Sequence, residues 1–139
     1  MRYLIAFLAL AGVTVSTLAL HVHNSTDTQP CSINEKWDCG IVNHSPYAEI
    51  LHVPVAVIGI AGYFAIGLLA LIRRRAPVAV LAVLALAFSL YLTRIEWSIL
   101  QVWCLYCVIS LGIITLLTVL SLWWTFTSPL ARRRWQSRR

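Results

Sequence analysis

Four apolar stretches set the pattern of this chain: Tyr3–Leu20, Val53–Ile72, Ala76–Thr93, and an uncharged run that begins at Ser98 and passes Trp124. No Asp, Glu, Lys or Arg interrupts any of them. A helix needs about 20 mostly apolar residues to cross the hydrocarbon core, or a few fewer. The pattern therefore predicts an all-α fold, an integral membrane bundle of four transmembrane helices. A polar outer loop, 22–52, separates the first stretch from the second. Within it Ser45-Pro46-Tyr47-Ala48-Glu49 reads as a helix start, with Ser45 as cap, Pro46 at the first helical position and Glu49 at the positive dipole end. Val53-Pro54 then redirects the chain, so a short interfacial helix from Pro46 to His52 is expected. The boundaries that follow are a membrane domain over 1–127 and a basic tail over 128–139.

Composition agrees with a membrane unit. The 139 residues are 60% hydrophobic and 12% charged, against roughly 25% charged in soluble chains. The net charge of +6 is informative through its position. Nine of the eleven basic residues lie at Arg2, Arg73–Arg75, Arg132–Arg134, Arg138 and Arg139, while Lys36, Arg94 and all five acids fall in the opposite loops. The positive-inside rule puts both termini and the Arg73–Arg75 turn in the cytoplasm, and the other loops outside. Only Trp135 accompanies the arginines, so a nucleic-acid partner is not expected; the partner read from this charge map is the lipid bilayer. The first stretch is longer than a secretory h-region and no clean cleavage site follows it, so it reads as an uncleaved anchor.

The candidate chemistry lies in the cysteines, which fall into two pairs. Cys31 and Cys39 flank a polar stretch, CSINEKWDC; Cys104 and Cys107 form WCLYC inside the last apolar run. Residues at i and i+3 share a helix face, so Cys104 and Cys107 are expected side by side, two to three turns into the fourth helix. Gln101 and Leu111 continue that face, with Trp103 and Tyr106 beside it. So deep a position predicts little help from the helix dipole for Cys104. Arg94 and Glu96 read as a surface pair, and His21, His23, His44 and His52 as interfacial imidazoles.

A disulfide passes between such pairs by thiolate attack through a mixed-disulfide intermediate, which points to electron transfer between an aqueous protein and something dissolved in lipid. A flat quinone fits an apolar, aromatic site next to a dithiol, and takes the two electrons that a dithiol yields. CxxC also serves other chemistry. No His follows Cys107, which excludes c-type haem attachment. Four converging thiolates would suit zinc, giving a metal-binding membrane protein, and two inert disulfides would give a non-catalytic bundle. The redox reading is preferred over inert disulfides, because a helix already fixes a local CxxC and gains little from a staple there, and no metal site is assigned.

The ordered set of a cysteine pair in the first outer loop, SPYAEILHVPVAVIGIAGY into the second helix and SLYLTRIEWSILQVWCLYC over the third and fourth resembles the vitamin K epoxide reductase family. Bacterial members of that family are disulfide-forming quinone reductases. DsbB-like proteins share the chemistry but carry CxxC in the first outer loop, the reverse of the order here. The resemblance implies roles for each cysteine. Cys31 exchanges with a thioredoxin-fold, DsbA-like periplasmic protein, Cys39 passes the electrons to Cys104, and Cys107 faces a quinone of the ubiquinone, menaquinone or vitamin K type. Ser45 matches a hydroxyl residue near the quinone, where Trp103, Tyr106 and Leu111 are also expected. Leu111 stands where animal members carry tyrosine and Val55 where they carry asparagine, so reduction of vitamin K quinone or epoxide is the alternative. Many bacterial members carry a fused thioredoxin-like domain; here the partner is expected to be separate. The expected location is the inner membrane, with the cysteines on the periplasmic side.

Overall fold

A computed structural model describes residues 1–25 and 33–129, together with 133 and 136–138. It is a bundle of helices with one two-residue-per-strand hairpin. The elements are α1 (Arg2–Asn24), α2 (Cys39–Asn43), β1 (Glu49–Ile50), β2 (Val53–Pro54), α3 (Val55–Leu71), α4 (Arg75–Ile95) and α5 (Leu105–Phe126). A 3-10 turn covers Pro46–Ala48 and a π-helical turn covers Glu96–Leu100. Among the described residues, three segments are long and apolar enough to cross a membrane: Arg2–Asn24, Arg75–Leu100 and Leu105–Phe126. The fourth apolar helix, α3, has 17 residues, about 25 Å at the helical rise.

Small residues bring α1 and α3 together. The buried face of α1 runs through Ile5, Ala9, Gly12, Ser16, Ala19 and Val22, spaced to form one stripe. The Tyr63 ring lies so close to Gly12 that a Cβ there would collide with it. Gly67 faces the Ala9 methyl, and Gly59 faces the Ser16 hydroxyl. Helices in lipid associate through such close approach, because burying apolar surface gains nothing from an apolar solvent. Gly62 differs: a Cβ there would meet nothing within 4 Å, and the residue borders a cavity instead.

Ile5, Ile66, Val78, Ile114 and Leu117 form the main core where α1, α3, α4 and α5 meet. A second, smaller core of Val22, Cys39, Val42 and Cys104 lies at the end of the bundle that carries the cysteines. Large side chains such as Phe7, Phe64, Leu84, Leu116 and Trp123 are exposed, as the rim of a bundle in lipid requires. At the opposite end, the Arg75 guanidinium lies 5.0 Å over the Trp124 ring.

The segments between α1 and α3 depart from the sequence expectation. In place of a helix from Pro46 to His52, a single 3-10 turn gives way to a hairpin pairing Glu49 with Pro54 and Ile50 with Val53. Ser45 does not cap it; its hydroxyl donates back to the Val42 carbonyl at 2.7 Å. Two turns are too few to sustain a helix alone, and the residue before Pro54 is biased to extended backbone. Leu51 and His52 close the hairpin with φ of 51° and 66°, the twist that two-residue hairpin turns use.

The fourth predicted helix does not run unbroken from Ser98. The π turn ends at Gln101 in a left-handed conformation, φ 54°. The extended connector that follows pairs with the first loop: Trp103 N–H donates to the Lys36 carbonyl at 2.7 Å, and Asp38 N–H donates to the Trp103 carbonyl at 3.0 Å. Helix α5 then starts at Leu105 with Cys104 as its N-cap.

Candidate functional site

The connector pairing sets the site. Asp38 caps α2, its carboxylate accepting from Gly40 N–H at 2.8 Å and Ile41 N–H at 3.2 Å. Cys39 thereby opens α2 directly beneath Cys104, and both are fully buried. Their Sγ atoms are 3.1 Å apart. Cys39 is disulfide-bonded, whereas Cys104 and Cys107 are free thiols. A thiol in contact with a disulfide sulfur is placed for exchange.

One helical turn after Cys39, the buried Asn43 amide donates to the Cys39 carbonyl at 2.9 Å and to Cys104 Sγ at 3.6 Å. The Cys104 backbone N–H donates to Glu96 Oε2 at 3.2 Å. A hydrogen bond from the Cys107 thiol holds Cys104 below the ordinary cysteine value, against the opposing effect of burial. Because Cys104 caps α5 and does not sit deep in a longer helix, the positive helix end also lies beside it. This corrects the expectation that the dipole is too distant to matter.

Cys107, on the first turn of α5, lines a cavity of about 340 Å³ bordered by α1, α3, α4, α5 and the segment between α1 and α3. Its walls are mostly apolar, with Leu81, Leu84, Phe88, Leu92, Ile66 and Leu100 among them. Polar groups gather near the cysteines, where Asn43, Ser45, Tyr47, Glu96 and Tyr106 border the same space. A size in the few-hundred-Å³ range, with an apolar body and few polar groups, is the usual form of a small-molecule site. On the α3 side the Tyr63 hydroxyl bonds the Ser110 carbonyl at 2.9 Å and the Ser110 hydroxyl at 2.7 Å.

The residues singled out from sequence separate here. Cys39, Cys104 and Cys107 come together, and Ser45 and Tyr106 line the cavity. Cys31 lies outside the described residues. Trp103 and Leu111 do not border the cavity. Trp103 belongs to the extended connector, where its ring packs on Trp37 and edge-on to Trp97 at centroid distances of 6.3 and 5.7 Å. Leu111 packs into the main core, because the cavity face of α5 runs through Cys107, Ser110 and Ile114.

Glu96 is the larger correction: it is not half of a surface pair with Arg94 but is 3% exposed and borders the cavity. An acid at the end of an uncharged membrane-length run was itself the signal, since such groups are costly unless used. Asn43 carried no comparable signal in a loop of polar residues. His23 also gains a role: its Nε2 lies 3.2 Å from Glu49 Oε1 and its Nδ1 bonds the Asn43 carbonyl. This ties the end of α1 to the hairpin. Among the described residues, no group of three or more His, Cys, Asp or Glu is arranged to hold a metal ion.

No curated protein matches this chain at a significant level. The profile of the Vitamin K epoxide reductase family matches residues 3–122, a range that runs from the start of α1 through most of α5 and takes in the loop cysteines, the connector and the cavity. With that match covering residues 3–122 of the 139, and an apolar helical bundle built from them, the chain belongs to the vitamin K epoxide reductase family, and is a membrane oxidoreductase.

Proposed function

We propose that this protein oxidises a DsbA-like, thioredoxin-fold partner and passes two electrons to a membrane quinone. The observation that carries the reading is the Cys39–Cys104 contact of 3.1 Å, with Cys107 behind it on the wall of an apolar cavity. Cys31 is the residue that exchanges with the partner, because it is the other member of the loop pair. The reduced Cys39 then attacks a Cys104–Cys107 disulfide, forming the Cys39–Cys104 mixed disulfide and releasing the Cys107 thiolate; Cys31 closes onto Cys39 and releases Cys104, leaving the inner pair as a dithiol next to the acceptor. A quinone suits the cavity through its flat apolar body, and the hydroxyls of Ser45, Tyr47 and Tyr106 are available to its carbonyls. When bound, it supplies a two-electron sink of high potential. That matches a partner as oxidising as DsbA, at roughly −120 mV.

The arginine distribution supports an orientation with both termini cytoplasmic and the cysteines on the periplasmic side of the inner membrane. Residues 1–127 form the membrane unit in this reading, with α3 as the remaining span, and 128–139 the basic tail. The test is to mix purified protein with a reduced DsbA-like protein and either ubiquinone or menaquinone, and to follow quinone absorbance. Cysteine-dependent quinone loss is expected. Quinol oxidation coupled to partner reduction establishes the reducing direction instead, and no turnover in either direction removes the reading.

A further inference from the structure

Glu96 is an acid inside an otherwise uncharged wall. Among the described residues, the groups bordering the cavity that can exchange a proton are Tyr47, Tyr63, Tyr106, Cys107 and Glu96. The Tyr63 hydroxyl is already engaged by Ser110, and phenols hold their protons firmly at neutral pH. Among the described residues no cation partners Glu96: the ion pair found there joins His23 to Glu49, and Arg94 is exposed. What does meet Glu96 is the CxxC itself. Its Oε2 takes the Cys104 N–H at 3.2 Å, and the Cys107 thiol lies against the same carboxyl. The residue also opens a π-helical turn, a distortion frequent at functional sites. An α-helical continuation there would have left no connector to bring Cys104 back onto the carboxyl.

We propose that Glu96 is a catalytic residue that carries the thiol protons from the Cys104–Cys107 pair to the electron acceptor in the cavity. The inference rests on the quinone reading above. When the pair closes, two S–H bonds break and one S–S bond forms; two electrons reach the quinone, which becomes quinol by taking two protons. Each proton passes in turn onto a Glu96 oxygen and from there to a quinone oxygen, so the carboxyl ends as it began. The plainer account is that Glu96 only caps the Cys104 N–H. A glutamine would serve that purpose equally well, since its amide oxygen accepts the same hydrogen bond.

The experiment mixes pre-reduced protein with a short-chain ubiquinone in a single turnover at a series of pH values, for wild type and Glu96→Gln. Loss of a general acid–base group is expected to slow quinone reduction about 100-fold or more and to flatten its pH profile. Formation of the Cys39–Cys104 disulfide, measured separately, slows far less. A Glu96→Gln variant that reduces quinone within a few-fold of wild type, with the same pH profile, overturns the proposal while leaving the quinone reading intact. Wild type that reduces no quinone removes both. If Glu96→Gln does not fold, the infrared difference spectrum of wild type on quinone addition decides: a changing carboxyl C=O band is expected, and its absence overturns the role.

Discussion

Cys39 and Cys104 are 65 residues apart in the chain, yet their sulfur atoms are in contact at 3.1 Å. The contact depends on two short-range devices and one long-range pairing. Asp38 caps the helix that begins with Cys39, Gln101 breaks the helix before Cys104, and the Trp37–Trp103 bridge joins the two segments.

Removing Cys107 should make this contact covalent. In Cys107→Ala, Cys104 attacks Cys39, the disulfide that Cys39 already holds breaks with its other sulfur leaving as a thiolate, and no Cys107 thiol is present to close onto Cys104, so a Cys39–Cys104 disulfide accumulates. Peptide mapping by mass spectrometry without reduction checks this. Cys104 recovered only as a free thiol would show that the two sulfurs do not exchange.

The pH dependence of that trapping should differ between two replacements at Cys107. The hydrogen bond from the Cys107 thiol holds the Cys104 thiol below its ordinary value in the folded protein, so the thiolate forms at lower pH than in an unfolded chain. The sign is that of an acid with depressed pKa: stabilisation from this group is present above the unfolded value and lost as pH falls through the folded one. Cys107→Ala removes the donor, so the pH midpoint for disulfide formation moves upward. Cys107→Ser keeps a donor, so its midpoint lies below that of Cys107→Ala. The trapped fraction against pH, quenched with acid, gives both midpoints.

Asn43 supports both sulfur-bearing segments through its bonds to the Cys39 carbonyl and Cys104 Sγ. Asn43→Ala should cost about 1–3 kcal/mol, the penalty of leaving buried polar groups unmet. It should also slow Cys39–Cys104 exchange by removing a donor to the developing thiolate. Thermal unfolding in detergent and the trapping rate measure the two effects separately. Unchanged values in both would show that the amide is not used.

Two glycines of the bundle should respond oppositely to one methyl group. Gly12→Ala drives a Cβ into the Tyr63 ring and should destabilise the protein by about 1–3 kcal/mol, the usual cost of overpacking. Gly62→Ala meets open space and should leave the melting temperature unchanged or slightly raised. Its methyl projects toward the cavity, so it tests acceptor access at constant stability. Differential scanning fluorimetry reads the first effect and quinone turnover the second.

The sequence by itself determined the apolar segments, the charge asymmetry, the cysteine order and the family. Each is a local pattern or an ordered list. Hydropathy reads how a segment meets its solvent, and that survives within a few residues in the helices α1, α3 and α4, and in the later part of the last run as α5. The Arg73–Arg75 turn and the apolar run to Phe126 were legible for the same reason. Tertiary structure alone decided where the last helix starts. That start depends on hydrogen bonds from Trp103 to Lys36 and from Asp38 to Trp103, formed across a separation no periodicity reports. The same pairing turned Glu96 from an expected surface acid into a buried one, placed Asn43 against Cys104, and directed Trp103 away from the cavity. Local patterns record what each segment prefers. The meeting of two loops, which makes the site, is settled by packing and by the need to satisfy every buried polar group at once.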